Sequence, residues 1–406
     1  MVSSHARDSQ ALKEANGAEM EKEKPTVRVS GRFDGGNPKS ASHITSAGNS
    51  TFIVRPTWEN DPGRALGLGF AVMVENTGPG PAPLEVRVDW GTTQHMEYKR
   101  VYYLNREGEE DWSELEAAVE GQIASLKVNV GRGVSYLSLS PMYNYSNYLA
   151  FVDALRQRPE ARLDLVGKSR LGREIWLIRV PPKPAPDAEG IFFQCRNNAC
   201  DSAGNFMIDG MVRFLFSGDR EAEELMRRFI FCFLPMTNPD GVFDGLERNT
   251  AVGNGAHLAT MNTAPDPAHD AIRGTLEAVR PRVFVNLHNW MIPNVDGLLC
   301  NDELYARRLS DLLPPVGRIP KRYHREWYSS AITEVTERGD DTIYPISKLA
   351  ELHKESGGTW KDFCREGFDA RAMSVEFPWR GRTIDDMGNL GAALLQSVCE
   401  IRKGEQ

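Results

Sequence analysis

The chain has 406 residues, 41% hydrophobic and 26% charged, and its 48 Lys and Arg against 56 Asp and Glu leave a net charge of −8. This is the composition of a folded globular protein with room for two domains. The negative balance argues against binding nucleic acid by phosphate neutralisation, and no apolar run reaches the roughly 20 residues of a membrane span.

Residues 1–25 are rich in Ala, Glu, Lys and Ser with little to bury, which predicts a disordered tail. Its polar, charged start does not read as a secretory signal. Six cysteines, with no close pairing pattern beyond Cys195 and Cys200, read as reduced thiols of a cytoplasmic protein. From residue 26 to 141 the period is two. Leu84, Val86, Val88 and Trp90 alternate with Glu85, Arg87 and Asp89, and similar short runs recur between Gly, Pro and Asn clusters. The expectation is an antiparallel β-sandwich domain over 26–141.

From residue 142 to 406 buried-strand runs alternate with helical periods. Leu149, Phe151, Val152 and Leu155 predict a helix around 147–156. Strands are expected at 163–166, 175–180, 190–195, 229–234, 283–287 and 372–377, and a last helix over about 387–402. Asp201 or Ser202 stands where a helix N-cap is expected. The alternation predicts an α/β domain with a mixed, mostly parallel sheet and helices on both faces, its site beyond the strand C-termini. Those ends carry Asn198, Cys200 and Asp201; the Asn238-Pro239-Asp240-Gly241 loop; His288; and Glu376.

Together with Tyr145 and Tyr148, the Gly167, Ser169, Gly172 and Arg173 turn, and Arg248 after Gly245, these segments resemble the zinc metallocarboxypeptidases. The likeness is greatest to their cytosolic branch, in which a β-sandwich precedes the peptidase domain. The resemblance implies one zinc, a peptide or small-molecule amide substrate, His288 as a metal ligand, Glu376 as general base and Arg248 as the arginine that polarises the scissile carbonyl. Three positions depart from that pattern. The His and Glu of the ligand loop fall on Asn198 and Asp201. The Asn-Arg pair that binds a terminal carboxylate falls on Ala259 and Thr260. The Asp that supports a ligand falls on His257.

A neutral amide is a poor substitute for imidazole at zinc, and Asp is one methylene shorter than Glu. The paired changes at Asn198 and His257 suggest a rebuilt metal set of His288, Asp201 and His257, with Asn198, Cys200 and Arg248 toward the substrate. On this reading the protein is a divergent metal-dependent hydrolase of an amide bond. Two alternatives stand beside it: a non-hydrolytic acid–base enzyme without catalytic zinc, and a ligand-binding pseudoenzyme.

Overall fold

The computed structural model describes residues 26–36, 43–56, 69–93, 96–248, 250, 265–289, 296–300, 302–314 and 358–405. Ten strands come first: β1 (Val27–Ser30), β2 (Ile44–Ser46), β3 (Thr51–Val54), β4 (Ala71–Asn76), β5 (Ala82–Asp89), β6 (Val101–Arg106), β7 (Ser113–Glu116), β8 (Ala118–Glu120), β9 (Ile123–Val130) and β10 (Gly133–Ser138). They form two five-stranded sheets, ordered β1-β4-β10-β6-β7 and β2-β3-β5-β9-β8. Phe52, Val54, Val72, Val74, Val86, Val88 and Trp90, drawn from both sheets and their flanks, share one apolar core. The pairing differs from the expectation at one place: β3 runs parallel to β5, with Phe52 opposite Val86.

The second half is built on a seven-stranded sheet of β11 (Arg162–Lys168), β12 (Glu174–Val180), β13 (Glu189–Cys195), β14 (Phe229–Leu234), β15 (Val283–His288), β16 (Gly297–Cys300) and β17 (Arg371–Glu376), ordered β11-β12-β14-β13-β15-β17-β16. The four central strands β14, β13, β15 and β17 are parallel. The sheet turns antiparallel at both edges, through β11 and β12 on one side and β16 on the other. It is therefore mixed, with parallel pairing confined to the centre.

Its helices are α1 (Tyr145–Arg156), α2 (Ala203–Leu215), α3 (Arg220–Arg228), α4 (Pro239–Phe243), α5 (Pro267–Val279), α6 (Glu303–Leu312), α7 (Trp360–Phe368) and α8 (Ile384–Gly404). Successive strand residues face opposite cores. Ile191, Phe193, Val283, Val285, Met373 and Val375 pack with α2 and α8, whereas Phe192, Phe284 and Ala372 pack with α5 and α7. Glycines set the approach of α2 to α8: a Cβ on Gly210 would lie 1.9 Å from the Gly388 carbonyl oxygen, and one on Gly391 would lie 2.2 Å from that of Met207.

The Tyr-x-x-Tyr pair fastens α1 to β12. The Tyr145 and Tyr148 hydroxyls accept the backbone N–H groups of Glu174 and Trp176 at 2.7 and 2.8 Å. Asp240, 3% exposed, binds the turn that precedes β12. It accepts Ser169 Oγ at 2.7 Å, Arg173 Nη1 at 2.6 Å and the Leu171 N–H at 3.0 Å. A residue of the expected Asn238-Pro239-Asp240-Gly241 loop, Asp240 is thus a polar hub. The two halves meet at this end of the sheet, where Asp34 accepts the backbone N–H groups of Tyr145 and Ser146.

Candidate active site at the strand ends

The chain leaves β13 toward β14 on one side and later returns to β15 on the other, so the sheet order reverses at β13. Ligand crevices of open α/β sheets form at such a switch, beyond the strand C-termini. The sheet face shared with α5 and α7 changes character toward that end. Phe192 gives way to Gln194, Phe284 to Asn286 and Ala372 to Ser374, a polar row in register across three strands. One step further, His288 and Glu376 lie directly opposite each other on β15 and β17.

The loop after β13 brings Asn198 and Asp201 to His288. Asp201 is 1% exposed and His288 7%. His288 Nδ1 donates to Asp201 Oδ2 at 2.7 Å, and Asn198 Nδ2 donates to the same oxygen at 2.9 Å while lying 3.2 Å from Nδ1. On the far side of the ring, Nε2 is 2.7 Å from the Asn286 amide nitrogen, and the Asn286 oxygen has no partner among the described residues. A half-turn of that amide presents the acceptor that a protonated imidazole needs.

The shorter side chain of Asp201 reaches His288 because its loop is held inward. Asn289 accepts the Ala203 N–H at 2.7 Å and donates to the Cys200 carbonyl at 3.2 Å. Cys200 N–H also donates to the Glu247 carbonyl at 3.1 Å. Of the two N-cap candidates, Ser202 takes the position at the start of α2, without a side-chain cap hydrogen bond. Its Oγ accepts Trp379 Nε1 at 3.2 Å, while Asp201 is committed to His288 and Asn198.

Glu376 is partly buried, and burial raises its carboxyl above the ordinary range. The nearby Asp201 charge adds to that rise, whereas His288 and Arg248 oppose it. For His288, burial alone would lower the imidazole, but the Glu376 charge and the Asp201 hydrogen bond and charge outweigh it, and the net shift is upward. Arg248 contributes to both electrostatic balances, and its Nε lies 3.5 Å from Glu247 Oε1. Cys200 Sγ is 3.6 Å from Asp201 Oδ1 and is a thiol donor to that carboxylate.

The structure thus brings together His288, Asp201, Asn198 and Glu376, with Cys200 beside Asp201 and Arg248 within electrostatic reach. His257 lies outside the described residues, as do Ala259 and Thr260. The sequence reading missed Asn289 as the residue that positions the ligand loop. Its only local signal is its place just after the strand-end histidine.

Among the described residues, no group of three His, Cys, Asp or Glu side chains converges as a metal set. Zinc takes imidazole, thiolate or carboxylate lone pairs at about 2.0–2.3 Å. Here the third position belongs to an amide that turns its N–H, not its oxygen, toward the centre, because an Asp201 oxygen lies 2.9 Å away. The described donors do not fit a catalytic zinc.

The family described as zinc carboxypeptidase matches residues 148–261. Cytosolic carboxypeptidase-like protein 5 of Danio rerio is 26% identical over 166 residues, and cytosolic carboxypeptidase 6 of Caenorhabditis elegans is 29% identical over 135. Those stretches are 41% and 32% of this chain but only 17% and 29% of the two relatives. Among solved structures, the metallo-carboxypeptidase from Burkholderia cenocepacia superposes with a TM-score of 0.74 at 14% identity, over 94% of this chain and all of that one. The metallo-carboxypeptidase from Pseudomonas aeruginosa, solved in complex with (2-guanidinoethylmercapto)succinic acid, gives 0.71 at 15% identity, over 93% and 99%. At these identities the structures establish the fold, and the sequence matches establish the resemblance to zinc carboxypeptidases and their cytosolic branch.

Proposed function

From a metallocarboxypeptidase-like fold and sequence, we propose a carboxypeptidase-like hydrolase that cleaves an amide bond of a peptide or small molecule, with Glu376 as its general base. The observation that carries this reading is the pairing of Glu376 with His288 in register at the C-terminal ends of β17 and β15, beside Asp201 and over the topological switch. In its ionised form Glu376 takes a proton from water at the scissile carbonyl and passes it to the leaving nitrogen. Protonated His288, held against Asp201, stabilises the carboxylate that this requires. Arg248, within reach of the same charges, is the group assigned to the carbonyl oxygen as negative charge develops on it. The zinc set of His288, Asp201 and His257 implied by the resemblance supplies no step here.

Ala259 and Thr260, in place of an Asn-Arg pair, favour a substrate without a clamped terminal carboxylate: an internal amide, a modified peptide or a small-molecule amide. We take the two N-terminal sheets, which share one core, as the β-sandwich domain over 26–141, preceding a catalytic domain over 142–406. Among the described residues no helix is long and apolar enough to cross a membrane. A cytoplasmic location is our reading from the composition and from the relatives' names.

A second reading, acid–base chemistry without hydrolysis or ligand binding without turnover, draws support from the hydrogen bonds that Asn198 makes in the ligand position. Turnover of a panel of peptide and small-molecule amides by wild type and Glu376→Gln separates the two. Hydrolysis that falls at least about 100-fold in the variant, with unchanged melting, supports the hydrolase. Ligand binding with no turnover in wild type contradicts it.

A further inference from the structure

We infer that Asn198 makes this centre proton-bonded rather than metal-bonded: an amide N–H and an imidazole N–H together occupy the Asp201 oxygen that a cation would take. The inference deepens the hydrolase reading of the same cleft and rests on it for the cleft's role, but the hydrogen bonds carry it independently.

The lone pairs that zinc needs are at Nδ1 of His288 and Oδ2 of Asp201. Nδ1 cannot be a ligand while it carries the proton given to Oδ2 at 2.7 Å, and Oδ2 accepts a second proton from Asn198 at 2.9 Å. Donors on a tetrahedral zinc stand about 3.3 Å apart, as follows from bond lengths near 2.0–2.1 Å. The 2.7 Å separation is that of a charge-assisted hydrogen bond.

The amide cannot reverse its role cheaply. Turning Oδ1 inward sets one oxygen against another at 2.9 Å and removes a donor from a buried carboxylate. Both faces of the imidazole are taken, Nδ1 by Asp201 and Nε2 by Asn286, so ring rotation offers no free nitrogen. One substitution changes this arithmetic. A histidine at 198 brings an aromatic nitrogen with a lone pair to the place of the amide N–H, giving two imidazoles and a carboxylate, a set that zinc binds well.

The test is elemental analysis of the full-length protein after incubation with excess zinc and exhaustive dialysis, with melting recorded in the presence and absence of zinc. Wild type is expected to retain less than about a tenth of an equivalent and to melt unchanged; Asn198→His is expected to retain about one equivalent and to melt higher with zinc. The double variant Asn198→His with Asp201→Glu restores the longer carboxylate and serves if the single variant folds poorly. About one zinc retained by wild type overturns the inference. A wild type and both folded histidine variants without zinc overturn the role given to Asn198. Amide turnover measured on the same dialysed wild type reports separately on the hydrolase reading: zinc-free protein without turnover leaves this inference standing and removes the other.

Discussion

Two buried aspartates, Asp201 and Asp240, behave in opposite ways. Asp240 accepts Ser169, Leu171 and Arg173, and through them fixes the turn into β12. Asp201 accepts Asn198 and His288, both of which lie at the strand ends. The first pairs with a guanidinium, a group that stays charged at any working pH. The second pairs with an imidazole, which gains or loses its proton near neutrality. The scaffold half of the resemblance is therefore held by permanent charge, and the half that departs from the resemblance is held by protons that can move.

That contrast is broken most severely at Asp240. Asp240→Ala leaves the Arg173 guanidinium without its buried partner and is expected to destabilise the fold by about 3–5 kcal/mol, read from a denaturation midpoint. Glu376→Gln should act in the opposite sense: amide turnover falls about 10²–10⁴-fold while the denaturation midpoint holds. If the midpoint drops instead, Glu376 belongs with Asp240 as scaffold. Asp201→Asn is expected to cost only about 1 kcal/mol of stability, because His288 can release its proton rather than remain an unpaired buried cation. A loss as large as that of Asp240→Ala would erase the distinction.

The pH dependence sharpens the same contrast. Glu376 and His288 both titrate above their unfolded values, so the folded state holds their protons more tightly. Their contribution to stability is full below the unfolded values and is lost as pH rises through the folded ones. Melting of wild type should therefore fall toward alkaline pH more steeply than that of Glu376→Gln, while turnover rises as Glu376 ionises. Equal slopes would contradict the placement of Glu376 in a proton-retaining site. The smallest effect is expected at α1: Tyr148→Phe removes one hydrogen bond to the Trp176 N–H, for about 1 kcal/mol and no change in turnover.

Much of this organisation was legible in the residues. The shift from period two to alternating strands and helices coincides with the passage from the two five-stranded sheets to the seven-stranded one, and apolar runs located every central strand of the large sheet. The ligand-loop departures at Asn198 and Asp201 were visible as residue types, since an amide and a shorter acid replace an imidazole and Glu. Three things were not legible. The parallel β3–β5 pairing and the antiparallel docking of β12 on β14 and of β16 on β17 depend on which strands meet, which a local period does not encode. The role of Asp240 depends on a turn some seventy residues earlier in the chain. The reach of Asp201 depends on Asn289, eighty-six residues beyond the backbone group at Ala203 that it holds. Long-range polar contacts leave no periodicity, so the geometry of the site needed the fold.

The most direct test of the proton-bonded centre is a crystal structure of the wild-type protein grown with excess zinc and measured at the zinc absorption edge. The account predicts no anomalous peak in the cleft and an unbroken hydrogen bond from His288 Nδ1 to Asp201 Oδ2. A peak bound to His288 and Asp201, with His257 or any other side chain as the third ligand, would contradict it.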